Sequence, residues 1–298
     1  MSKPTPPLFC KMDAKRQRRD EYVEELKTIK GLLKDFEANA EEFIIEFLIE
    51  HSAQVPADEI LKECPSLFDR CVLQQPTPIP PDVQVRVLHE LCRWDKDERY
   101  PLFLESFILR KEVDVNCTDE KGRTALMYAA FYNNIGATEA LCAHPSIDLN
   151  LQDKEYRTAL YWSVLQRHVD VCRLLVGTDG IVVNPKEPYG NTPLHLAVIQ
   201  NDLACLNALL LHPDCDPNEA DRYGVTPLLS SMSHSYGIFE RLLKDKRVRL
   251  NAKEDGHVSA MHIAARSSYS RLEMLMKRRT TLVNAQNSFG ETPLHIAV

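Results

Sequence analysis

Residues 192–198 read TPLHLAV, and the chain restates that phrase five more times: TALMYAA from Thr124, TALYWSV from Thr158, TPLLSSM from Thr226, SAMHIAA from Ser259 and TPLHIAV from Thr292. The steps between copies are 34, 34, 34, 33 and 33 residues. A fixed period of this length marks a stacked array of small helical units and excludes most folds built on a single closed core. A second marker keeps the same beat: Asn116, Asn150, Asn184, Asn218, Asn251 and Asn284 each stand eight residues ahead of their copy.

Within the phrase, Thr offers a side-chain oxygen to the free N–H groups that begin a helix. The following Pro has no N–H to lose and a φ already suited to the first turn. The phrase therefore opens a helix. Two residues earlier stand Gly122, Gly190, Gly224 and Gly290, as a tight turn with positive φ demands. Tyr156 and His257 hold that slot in the other copies, which predicts strained or differently built turns there. The first helix should end near Asn133, Arg167, Asn201, Ser235 and Ser268, where a left-handed residue is expected; the non-Asn residues adopt that conformation at about 1–2 kcal/mol. A second apolar helix follows, marked by Ala140–Leu141, Leu174–Leu175, Ala208–Leu209, Leu242–Leu243 and Leu275–Met276, the predicted core between repeats.

These phrases, turns and helix pairs over residues 83–298 resemble the ankyrin repeat family, whose unit is a turn followed by two antiparallel helices. The resemblance implies an all-α solenoid with hairpin-like fingers, working as a protein-binding scaffold with no catalytic role. Two narrower resemblances remain open. One is the cytosolic front of a channel similar to the insect A-subfamily of transient receptor potential channels, which HPxxDxN turns such as HPSIDLN suit. The other is a cytoplasmic inhibitor of Rel-type transcription factors, whose DSGxxS signal is missing from the N-terminal segment.

Hydrophobic residues make up 44% and charged residues 27%, enough apolar surface for a stable core. The formal net charge of −7 disfavours phosphate-backbone binding and so a nucleic-acid partner. Nine cysteines cannot all pair, and none are spaced as CxxC. Cys142, Cys172 and Cys205 read as small apolar residues of second helices, which predicts a reducing, cytoplasmic setting. FIIEFLI, at residues 43–49, is broken by Glu46, so no membrane span is expected.

Before the array, residues 13–50 are helix-favouring, with Tyr22, Leu26, Ile29 and Leu33 on one stripe. Residues 1–73 are expected to form a helical, partly disordered region. Residues 74–82, QQPTPIPPD, read as a polyproline-like linker. Residues 83–115 read as a degenerate repeat capping the array, with helices near VQVRVLHELC and YPLFLESFILR. The chain stops one turn into a first helix at Val298, which suggests a longer protein. The cluster KRQRR at 15–19 is followed at once by acidic residues and reads as a self-balanced helix face.

His195, His262 and His295 occupy the fourth position of the phrase, where the family uses them to tie neighbouring turns. No HExxH, GxSxG, phosphate loop or cofactor motif accompanies them, so no enzyme, metal or cofactor is expected. The functional candidates lie instead on the finger tips. The position three before each Thr carries Lys121, Glu155, Tyr189, Tyr223, Gly256 and Phe289. Exposed aromatics in a row are common anchors of protein interfaces. With their neighbours Arg123, Tyr156, Arg157, Asn191 and Arg222, and with Phe131 and Tyr132 at the exposed end of a first helix, they form the expected partner-binding surface of a monomer. Tyr156, Tyr189 and Tyr223 would be its anchors, unless the tyrosines merely pack on adjacent fingers.

Overall fold

The computed structural model describes residues 81–93, 104–105, 107–109 and 113–298, the last span without 235, 255–256 and 279–281. The helical reading of 13–50, the KRQRR cluster and the slots at Ser235 and Gly256 lie outside the described residues. The chain divides into two compact units, residues 1–114 and 115–298.

In the first unit, helix α1 (Pro81–Arg93) begins two residues earlier than expected, taking Pro81 and Asp82 from the linker. Pro fits because its φ is preset for a first helical turn. Leu88, Leu91 and Cys92 of α1 are buried, as are Leu104, Phe107 and Ile108 of the following segment. The Gln84 side chain accepts from the Asp114 N–H at 3.2 Å.

The second unit is the array. Its first helices are α2 (Ala125–Tyr132), α4 (Ala159–Leu165), α6 (Pro193–Ile199), α8 (Pro227–Ser231), α10 (Ala260–Ser267) and α12 (Pro293–Ala297). They alternate with second helices α3 (Ile135–Cys142), α5 (Val169–Val176), α7 (Leu203–Leu211), α9 (Tyr236–Lys244) and α11 (Tyr269–Met276). First helices pack on first helices, as α2 on α4 and α6 on α8, and second on second, as α3 on α5 and α5 on α7. Each pair thus covers its neighbour, since none is large enough to bury its own apolar face. The array is all-α; the fingers are turns, two of which carry a single antiparallel bridge, Thr118 with Thr124 and Lys253 with Ser259.

The phrase opens helices as expected: Thr124, Thr158, Thr192 and Thr226 each accept from the N–H three residues on. Asn133, Arg167 and Asn201 are left-handed, with φ of 59°, 61° and 57°. Ser268 corrects the expectation. Its φ is −158°, and its hydroxyl caps α11 by accepting from the Arg271 N–H, so one residue ends α10 and begins α11. Tyr156 and His257 adopt the same turn as the glycines, at φ 62° and 61°, and carry its strain with a Cβ present.

Leu141, Leu175, Leu209, Leu242 and Leu275 are fully buried, each worth about 1.5–3 kcal/mol of apolar transfer. Their companions in the expected pairs are less uniform: Ala208 and Leu243 are buried, Leu174 and Ala140 are half-buried and Met276 is exposed. The predicted pairing, which gave both residues to the core, holds for Ala208–Leu209 and Leu242–Leu243; in the other pairs successive helical positions diverge by about 100° and only one faces the neighbouring repeat squarely.

Candidate protein-interaction surface

Each finger is built on one acidic or amide residue five positions before the Thr. Asp119 accepts from the N–H groups of Lys121 and Arg123 at 2.8 Å each and from Arg123 Nε at 2.8 Å. Asp153 repeats this with Glu155, Arg157 and Arg157 Nε at 2.9 Å, and adds the Trp162 indole N–H at 3.1 Å. Asp221 takes the N–H groups of Tyr223 and Val225, and Asn287 those of Phe289 and Glu291. Glu187 does the same for Asn191 through one oxygen. A short acceptor turning back on its own backbone fixes a tight turn without any strand. Burial alone would raise the Asp119 carboxyl, but the backbone N–H and guanidinium of Arg123 outweigh it, and the pKa lies below the usual 3.8.

Adjacent fingers then lock together. Lys154 N donates to Lys121 O, and Arg222 N to Tyr189 O, both at 3.0 Å. Behind them runs a ladder of the periodic asparagines. Asn116 donates to Ser146 O at 2.7 Å and accepts from Asp148 N at 2.8 Å. Asn150 does so with Gly180 O and Val182 N, Asn184 with Asp214 O and Asp216 N, and Asn218 with Arg247 O and Arg249 N. Each side chain therefore clamps one repeat to the next, which explains a spacing that sequence alone left as a marker.

The phrase histidines complete the rungs. His195 Nε2 lies 3.0 Å from Val225 O, and a carbonyl only accepts, so Nε2 carries the proton. Nδ1 is then free to accept from the N–H of Thr192 at 3.2 Å. His262 is placed the same way between Ser259 and Glu291 O. Burial, the largest influence, lowers the His195 pKa below 6.5. These histidines are structural, as expected.

The candidate residues separate into two groups. Arg123 and Arg157 are half-buried, ion-paired to Asp119 and Asp153, and stacked over Tyr128 and Trp162. Asn191 is half-buried against Glu187. Phe131, expected at an exposed helix end, is half-buried edge-on to Trp162 at 5.4 Å. Lys121, Tyr132, Tyr156, Tyr189, Tyr223 and Phe289 are exposed, Phe289 at 86%. Arg222 links two of them: its guanidinium carbon lies 4.3 Å from the Tyr189 ring centroid and 4.6 Å from that of Tyr223. The acidic finger residues went unnoticed in sequence, although Asp, Glu or Asn occupies that position in every copy.

Among the described residues no helix is long and apolar enough to cross a membrane, and no group of three His, Cys, Asp or Glu could hold a metal ion. A search of curated proteins returns no match. A family model described as ankyrin repeats matches three overlapping stretches, residues 88–187, 145–221 and 179–254. Repeats of this kind are generic protein–protein interaction modules, and with the helix pairs, knotted fingers and inter-repeat rungs in place the match is decisive: the chain belongs to the ankyrin repeat family.

Proposed function

We propose that the array is a cytoplasmic scaffold that binds another polypeptide through its fingers, with Tyr156, Tyr189 and Tyr223 as anchors and Lys121, Tyr132, Arg222 and Phe289 around them. The observation that carries this reading is the sandwich of Arg222 between Tyr189 and Tyr223, on turns already locked by Glu187 and Asp221. Tyr189 and Tyr223 stay about half open to solvent, at 54% and 49%. Aromatic and Arg side chains ordered before binding lose little entropy on contact, which suits an interface anchor. The competing expectation, packing on adjacent fingers, accounts for one face of each ring and leaves the other available. Arg123, Arg157 and Asn191 serve in this reading as positioning residues beneath the surface.

Residues 83–115 fit a degenerate capping repeat. The Gln84 bond to Asp114 N takes the part that Asn116 plays toward Asp148 N one repeat later. The test of function is selection of binding polypeptides against the full chain from a display library. Substituting Tyr156, Tyr189 and Tyr223 together with Ala should weaken the selected binder at least about tenfold while the melting temperature holds. Retained affinity would remove the anchors from the account.

A further inference from the structure

The connection between the repeats opened by Thr226 and Ser259 reads KDKRVRLNAK, residues 244–253, and carries five of the chain's Lys and Arg residues against one Asp. Two of its sister connections place an acidic residue where this one has a cation. Two positions before the ladder Asn stand Asp148 and Asp216, each accepting from the Asn N–H at 2.9 Å. Arg249 holds that position here and cannot accept. Val182 and Leu282 hold the position in two further connections, so what sets this repeat apart is the cation there.

The exchange opens onto a groove of about 750 Å³. Lys246, Arg247, Arg249, Lys253 and Arg278 line it together with neutral residues, and among the described residues no carboxylate does. Arg247 forms its fixed floor, paired with Asp245 and donating to the carbonyls of Leu210, His212 and Cys215. Lys253 Nζ donates to Gln286 O and Arg278 to Leu243 O, so both are held in place with donors left over. Lys246 and Arg249 are exposed. Among the described residues no carboxylate lies within ion-pairing distance of Lys246, Arg249, Lys253 or Arg278. Cations gathered in a concavity attract an anion more strongly than the same cations spread over a surface.

We propose that this groove docks an acidic polypeptide segment, a run of Asp or Glu side chains lying across the two repeats. Fork-shaped guanidinium groups match carboxylates. The groove is local, whereas the chain as a whole is at −7, which repels an extended polyanion such as a nucleic acid beyond the groove's own length. The proposal shares with the preceding one only that the ligand is a polypeptide, and none of the aromatic anchors lines the groove.

Fluorescence anisotropy of a labelled oligoglutamate, titrated with the full chain at low salt, tests it. Lys246→Glu with Arg249→Glu should weaken binding about tenfold or more, while the matched reversal Lys154→Glu with Arg173→Glu changes it less than about twofold. Raising salt to about 0.5 M should abolish binding. The triple tyrosine variant should bind oligoglutamate as the parent does, so loss of the finger reading leaves this one standing. Absence of binding, equal loss in both charge reversals, or tighter binding of a labelled oligothymidylate would overturn it.

Discussion

Arg222 on one finger caps the Tyr189 ring of the finger before it, the guanidinium carbon 4.3 Å from the ring centroid. The contact joins two repeats through exposed side chains. Removing it in Arg222→Ala should lower stability by less than about 1 kcal/mol, the range of an exposed cation–π pair. Partner affinity should fall by more than that figure implies, because two tyrosines lose their support at once. Urea denaturation beside binding of the selected polypeptide separates the two effects.

Gly190 sits where two fingers approach closely. Its φ is 85°, and a Cβ there would stand 2.8 Å from Arg222 N. Gly290 has φ 77° but open space around it. Gly290→Ala should therefore cost about 1–2 kcal/mol for backbone conformation alone, and Gly190→Ala more. Equal losses on urea denaturation would mean that the fingers do not stack as described.

Arg247 reaches back across a repeat boundary to the carbonyls of Leu210, His212 and Cys215 while paired with Asp245. Its hydrogen bonds to the Asp245 carboxylate are the largest of the influences that raise its pKa, so the guanidinium stays charged. Arg247→Ala strips partners from several carbonyls together and should destabilise the array by about 2–4 kcal/mol, measurable by chemical denaturation. Arg247→Lys should recover little of this, since an ammonium cannot fork toward separate oxygens.

His195 is neutral in the fold, with Nε2–H donating to Val225 O and Nδ1 accepting from Thr192. Its folded pKa lies below the 6.5 of the unfolded chain, with burial the main cause. In the window beneath 6.5 the unfolded chain binds the proton and the folded one resists it. The contribution is therefore complete above that value and is lost as pH falls through it. The melting temperature should drop between about pH 7.5 and about pH 5.5, and His195→Gln should flatten that drop while lowering the plateau.

The periodicity of Thr, Asn and Leu made the array legible before any coordinates, because each repeat needs a capped helix start and a buried second helix. The histidine ties were legible only through the family resemblance, since the TPLH phrase places Nδ1 against its own Thr while the Nε2 partner, Val225 O, lies 30 residues away. Exposure along a helix was not: Leu174 and Leu175 are adjacent in sequence, yet only Leu175 is fully buried. Nor did the sequence show that Arg123 and Arg157 turn inward, because that depends on Asp119 and Asp153 closing the finger beneath them. Arg247 escaped notice for a related reason, its partners lying 32 to 37 residues away. Ser268 was assigned to the wrong half of its turn, since a hydroxyl can begin a helix as readily as follow one.

Hydrogen–deuterium exchange of the full chain, with and without a selected binding polypeptide, tests the central claim most directly. Protection should concentrate in the fingers at residues 119–123, 153–157, 187–191 and 221–225, leaving the second helices α3, α5 and α7 unchanged. Protection of those helices with the fingers still exchanging freely would contradict a scaffold that binds through its finger tips.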